Sequence, residues 1–234
     1  MEYVFFSGGF DSSAFLLECI IVKKVETTPV VITDPYLDDM INKKFNRKNQ
    51  KLEEIARNNI YNYIAELDDE YKKLLQDEII IDKIILKEPM LSVGRKGYES
   101  KIFDRPAKQI HCFNQVMTDL NINGNILGTR NDGETTNEAI KYANPDGTIN
   151  KDLLPEHAKF LEPFKVPYLH QTKEEIWERA VKYGYDDPLY DTWTCFFPQG
   201  ERACGSCGPC KGRIIPNGME YQLEFELNDN RNYL

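Results

Sequence analysis

The sequence predicts an α/β protein, a largely parallel sheet with helices on both faces. Three observations carry that expectation. Short apolar runs alternate with longer amphipathic stretches along most of the 234 residues. The first of these runs empties directly into a glycine turn that opens a helix. Four cysteines then crowd into one distal segment, as in a small metal-stapled element packed on such a sheet.

The elements follow in order. Tyr3-Val4-Phe5-Phe6 reads as a buried strand, and residues 10–24 as a helix with Phe10, Ala14, Leu17 and Ile21 near one face. Pro29-Val30-Val31-Ile32-Thr33 is a second strand, closed by Asp34-Pro35. A long amphipathic segment runs from Asn42 to Gln76, with Leu52, Ile55, Ala56, Ile60, Tyr63 and Ile64 on one face and a break expected at Asp68-Asp69. Ile79-Ile80-Ile81 and Ile84-Ile85-Leu86 compete as the next strand. Residues 89–104 read as loop, and Pro106 suits the first turn of a helix reaching Leu120. Asn125-Ile126-Leu127-Gly128 is a short buried strand. The connection from Thr129 to Glu162 is of the length that serves a function. Thr172-Lys173-Glu174-Glu175 has capping-box form and starts a helix that ends near Gly184; a last strand is expected at Tyr221–Leu227.

Composition narrows the function classes. An apolar fraction of 41% and a charged fraction of 29% are those of an ordinary globular chain. They fit one α/β domain over 1–190 and a cysteine element over 191–234. The net charge of −9 disfavours an unassisted grip on nucleic acid, which needs clustered Lys and Arg; a small anion held by local donors remains compatible. Neither a signal-peptide pattern nor a membrane-length apolar stretch is visible, so a cytoplasmic protein without a membrane partner is expected.

Ser7-Gly8-Gly9-Phe10-Asp11-Ser12-Ser13 carries the first chemistry. Glycines let the backbone bend sharply and approach a ligand without a Cβ in the way. The hydroxyls of Ser7, Ser12 and Ser13, with the first N–H groups of the following helix, are donors suited to phosphate, aided by the helix dipole. The loop lacks the Gly-Lys-Ser/Thr ending of a Walker A motif. Cys195-x8-Cys204-x2-Cys207-x2-Cys210 carries the second. Four thiolates so spaced close a tetrahedral Zn²⁺ shell, with Gly205 and Gly208 permitting tight turns, and leave no open position for a nucleophilic water; an iron–sulfur cluster has similar ligands. Cys19 and Cys112 stand alone in apolar text and read as small buried hydrophobes. His111, His157 and His170 are too scattered to assign. Trp193 is a candidate for stacking on a purine, whereas Trp177 reads as core.

The loop resembles the pyrophosphate loop of the ATP pyrophosphatases. Together with the cysteine pattern, it makes the chain similar to the QueC family of 7-cyano-7-deazaguanine synthases in queuosine biosynthesis. Leu161-Glu162-Pro163-Phe164, Thr172 to Trp177, and Thr192-Trp193-Thr194-Cys195 through Cys210-Lys211-Gly212-Arg213 carry the likeness. The resemblance implies a Rossmann-like domain of the adenine-nucleotide-hydrolase (PP-loop) type, a C-terminal zinc element and a homodimer. It implies ATP-dependent adenylation of 7-carboxy-7-deazaguanine, attack by ammonia, and an ATP-driven dehydration to the nitrile. Ser7, Gly8, Gly9, Asp11, Ser12, Ser13 and Gly128 would then bind ATP, Asp11 would help position Mg²⁺, Lys173 would contact phosphate, and Asp132 would bind Mg²⁺ or substrate. Arg105 stands about as far upstream of the Gly128 strand as an arginine of the family's Pro-Gly-Arg-Asn segment, here flanked by Asp104 and Pro106. Thr33 to Asp38 replaces the family's Tyr-Gly-Gln-Arg-His type turn. That departure raises a second expectation, a QueC-like enzyme of antiviral defence that passes the activated deazapurine acid to a protein or other amine. A third is a non-catalytic, zinc-stapled ATP-binding partner.

Overall fold

The computed structural model describes residues 1–33, 49–82, 84, 106–125, 127, 139–207 and 210, the side chains of 106–111 and 157 excepted. The calls on Thr33–Asp38 beyond its first residue, on Ile85-Leu86, on 89–105 and on Tyr221–Leu227 lie outside them.

Strand β1 (Glu2–Phe5) pairs in parallel with β2 (Thr27–Ile32), which pairs in parallel with β3 (Ile79–Ile81). Of the two isoleucine runs, Ile79–Ile81 joins this sheet, and the second run beyond Ile84 lies outside the described residues. A second parallel pair joins β4 (Gly124–Asn125) to β5 (Phe164–Lys165). β4 packs beside β1, and Asn125 Nδ2 donates to the Tyr3 carbonyl at 3.0 Å. The strands thus lie side by side in the order β3-β2-β1-β4-β5, two ladders that meet where β1 packs beside β4, as in a doubly wound α/β fold whose strand order reverses there.

Pro29 is tolerated inside the central strand for a local reason. Thr27 and Thr33 donate their N–H groups toward the β3 side, to Leu74 and Ile81, so the position of Pro29 also faces that side. It falls in the gap between the Thr27–Leu75 bridge and the start of β3, where no ladder bond is lost.

Successive strand residues point to opposite faces, and both faces are covered. Val4, Phe6 and Val31 pack with α1 (Phe10–Leu17), α2 (Gln50–Glu66) and a later helix through Ile60, Ile64, Ile176 and Trp177. Phe5 and Val30 face the other way. There they meet Val116 and Met117 of α4 (Pro106–Leu120) and the segment holding Ala139, Ala158 and Leu161. The amphipathic stretch breaks where the acidic pair suggested: Leu67 and Asp68 are extended, and α3 (Asp69–Lys72) is one short turn.

Two details differ from the sequence reading. α1 buries seven of its eight residues rather than one stripe, because the sheet covers one side and the later helix another. Beyond Leu17 it continues as a π-helical turn (Glu18–Val22). Glu18 is only 5% exposed and is neutralised by Lys23 at 3.2 Å and Arg179 at 3.0 Å, a pairing that a buried carboxylate requires.

The later helix, α5 (Lys173–Tyr183), starts in a complete capping box. Thr172 Oγ1 accepts the Glu175 N–H and Glu175 returns the bond to the Thr172 N–H. Gly184, at φ 72°, closes it. Thr172→Ala is expected to cost about 1 kcal/mol. In thermal unfolding followed by circular dichroism, that is a fall of about 2–4 °C for a chain of this size.

Candidate functional site

The strand order places one loop at the carboxyl end of β1, beside the switch point where ligands of open α/β sheets bind. That loop is Ser7–Ser13. Gly8 has φ +77°, and a Cβ there would lie 2.6 Å from the Glu53 carbonyl oxygen of α2, so only glycine lets the turn rest on that helix. Gly9 precedes α1, whose first turn carries no side-chain cap, leaving its leading N–H groups outside the intrahelical ladder.

The three serines divide in role. Ser7 is exposed at the lip. Ser12, 6% exposed, braces the loop from beneath: its Oγ accepts the Ser7 N–H at 3.3 Å, lies 3.2 Å from Ser7 Oγ, and donates to the Gly9 carbonyl at 3.1 Å. Ser13 is fully buried, and its hydroxyl finds no partner among the described residues.

Asp11 in the first turn of α1 and Lys173 at the start of α5 meet at the same mouth, with Nζ 3.8 Å from Oδ2. Both side chains are partly buried, and at 3.8 Å the pair sits at the long end of ion-pair contact, so it orients the two groups while leaving them displaceable by a ligand. Arg105, Gly128 and Asp132 lie outside the described residues.

The distal cysteines converge as their spacing required. The Sγ atoms of Cys195, Cys204, Cys207 and Cys210 all lie within 4.8 Å of one another, with Cys204–Cys210 at 4.0 Å and Cys207–Cys210 at 3.3 Å. One ion with metal–sulfur bonds of about 2.3 Å would hold four thiolates roughly 3.8 Å apart, so the donor set fits a single tetrahedral metal. A disulfide needs sulfurs about 2.05 Å apart, and all six cysteines are free. Gly205 adopts φ +69° at the turn. Backbone N–H groups of Cys204 and Cys207 donate to Cys195 Sγ at 3.1 Å and Cys204 Sγ at 3.4 Å.

The thiols differ electrostatically. Partial desolvation works against the Cys204 thiolate, yet hydrogen bonds from the Ser206 side chain and the Ser206 and Cys207 backbones bring it down to about 6. Burial raises Cys195 and Cys210, whose negative charge therefore calls for a bound cation. Cys19 and Cys112 sit in the core, and burial pushes the Cys19 thiol up to about 12, an inert group.

The tertiary structure adds one relation with no signal in the sequence. The Trp193 N–H donates to the Gly8 carbonyl at 2.9 Å, and a Cβ on Gly9 would meet the Trp193 oxygen at 3.5 Å and Thr194 Cγ2 at 3.9 Å. The segment leading into the cysteine centre thus lies along the glycine turn. Trp193 is 3% exposed and its indole Nε1 donates to the Cys195 carbonyl at 2.8 Å, which makes it core of that centre rather than a stacking surface. Leu52 and Ala56 of α2 complete this core with Ala203 and Cys210. Trp177 is core as read, between Phe10 and Tyr190. No helix among the described residues is long and apolar enough to cross a membrane.

Residues 134–216 match the family model described as Queuosine biosynthesis protein QueC. The matched span contains Lys173, Trp193 and all four clustered cysteines, and leaves the Ser7–Ser13 loop outside. Among curated proteins, the chain is 36% identical over 69 residues to a 7-cyano-7-deazaguanine synthase of Caldicellulosiruptor saccharolyticus, covering 26% of this chain and 29% of that one. It is 46% identical over 67 residues to that of Hahella chejuensis, covering 27% and 28%. To 7-cyano-7-deazaguanine synthase 2 of Colwellia psychrerythraea it is 38% identical over 81 residues, covering 30% and 35%. The aligned part spans less than a third of the length of the first of these relatives. No solved structure gives a significant match.

Proposed function

Taking as premise that the chain is a divergent member of the QueC family, we propose that it activates the carboxylate of 7-carboxy-7-deazaguanine with ATP, releasing pyrophosphate. The observation that carries this reading is the uncapped glycine loop at the switch point, with Asp11 and Lys173 facing each other across its mouth.

A carboxylate is a poor electrophile until one oxygen becomes a leaving group. In the proposed step that oxygen attacks the α-phosphorus of ATP, the bond to the bridging oxygen breaks, and pyrophosphate departs with the electron pair. Ser7 and the first N–H groups of α1 donate to the departing oxygens, and Lys173 stabilises charge growing on the phosphates. Asp11, a carboxylate beside phosphates, is the residue that would hold Mg²⁺ between them. Ammonia then attacks the acyl carbon and AMP leaves, giving the amide. The amide oxygen then attacks the α-phosphorus of a further ATP, releasing pyrophosphate, and leaves in AMP as the nitrogen gives up its two protons, which gives the nitrile. The four cysteines would hold Zn²⁺ as a structural ion.

One observation favours a second acceptor: the family match is confined to 134–216 and leaves out the altered turn after β2. In that reading, a QueC-like enzyme of antiviral defence, a protein or other amine replaces ammonia. Incubation with ATP, Mg²⁺, 7-carboxy-7-deazaguanine and ammonia, followed by mass spectrometry, separates the cases. The expected result is AMP with the nitrile. AMP without nitrile would support the other acceptor, and absence of AMP would leave only a non-catalytic ATP-binding partner.

A further inference from the structure

We infer that Trp193 is a positioning residue that couples occupancy of the cysteine centre to the shape of the glycine loop, and through it to ATP affinity. The inference rests on the reading of Ser7–Ser13 as the ATP loop.

A short path of bonds joins the two sites. The Gly8 carbonyl accepts from the Trp193 N–H at 2.9 Å, and the indole of the same residue donates to the Cys195 carbonyl at 2.8 Å. Cys195 Sγ in turn accepts the Cys204 N–H at 3.1 Å inside the cluster. The path from Gly8 to Cys195 is confined. Trp193 and Cys195 are 3% and 0% exposed, and Gly8 is held at positive φ against the Glu53 carbonyl. α2 backs both sites, through Glu53 and Ala56 under Gly8 and through Leu52 and Ala56 under the cysteines.

The glycine turn is therefore gripped from two sides, one of them a segment whose far end is a metal ligand. Closing four thiolates on one ion fixes Cys195, hence the Trp193 peptide, hence the direction of the Gly8 carbonyl. An emptied centre leaves the sulfurs held only by backbone N–H groups and contacts with one another, and the donor to Gly8 loses part of its anchor. Coupling between two binding sites is reciprocal, so ATP must tighten the metal by the factor by which the metal tightens ATP.

The test uses the full chain loaded with Zn²⁺ or, as a spectroscopic probe, Co²⁺. Calorimetric titration with ATP and Mg²⁺ is expected to show affinity weakened about tenfold in Trp193→Phe, which keeps an aromatic side chain and the backbone N–H but removes the indole donor. Addition of ATP to the Co²⁺ protein is expected to shift its visible thiolate bands, a response that a merely structural ion would not give, and Trp193→Phe is expected to diminish it. Unchanged ATP affinity in Trp193→Phe, with bands indifferent to ATP, overturns the coupling. Failure of the wild-type metal-loaded protein to bind ATP at all overturns the loop reading itself and the coupling with it. If chelation unfolds the chain, the Phe variant and the Co²⁺ spectrum still decide.

Discussion

Ser12→Ala is expected to lower ATP-dependent pyrophosphate release by about 10²–10³-fold while leaving the fold in place, the loss typical of one donor at a site of developing charge. The size of the effect comes from what Ser12 does rather than from contact with the nucleotide alone. Its hydroxyl links the Ser7 N–H, the Ser7 hydroxyl and the Gly9 carbonyl, so its removal leaves the turn closed only by the Gly9 N–H donating to Ser7 Oγ at 3.2 Å. The global cost is small by comparison. Gly9 keeps its bond from the Ser13 N–H, α1 gains a better helix former, and the Ser7 N–H, on an exposed residue, loses one hydrogen bond worth about 1 kcal/mol. A pyrophosphate-release assay beside a thermal melt separates the two quantities. Release above a tenth of the wild-type rate would remove Ser12 from the phosphate machinery.

Cys195→Ser is expected to have the largest effect on stability. Cys195 has no exposed surface, and it lies in a core with Trp193, Ala203 and Cys210 that contains few apolar groups. So small a cluster depends on its ion, and metal binding by thiolates is folding free energy for the segment they close. Structural zinc contributes about 10 kcal/mol or more in isolated fingers. Here the centre leans on a preformed helix, so a loss of about 3 kcal/mol is expected. That corresponds to a fall of roughly 10 °C in the melting temperature. Elemental analysis should find far less than one metal per chain, and a variant with full metal content would show that three ligands suffice.

Particular residues show how far the sequence was legible. The buried run before Ser7, the glycine turn, the capping box at Thr172 and the cysteine spacing are local patterns, and each appears in the structure where it was read. Their physics is complete within a few residues: a positive φ, a reciprocal cap, four sulfurs within reach of one ion. The reading failed where a residue's surroundings come from elsewhere in the chain. α1 looked like a one-sided helix because its own sequence carries no mark of the helix that covers its second side. Trp193 looked like a free aromatic surface because nothing in Thr192-Trp193-Thr194 says that an indole donor will turn inward to the Cys195 carbonyl.

By itself, then, the sequence determined that the chain holds a glycine–serine turn opening a helix and a cluster of four cysteines. Tertiary structure alone decided the strand order β3-β2-β1-β4-β5, which puts that loop at the switch point. It also brought Lys173 to Asp11 and the Trp193 peptide to Gly8. The reason is that turns, caps and ligand spacings are set by neighbouring residues, whereas the meeting of distant segments is set by which apolar faces bury one another. Periodicity marks such a face without naming its partner.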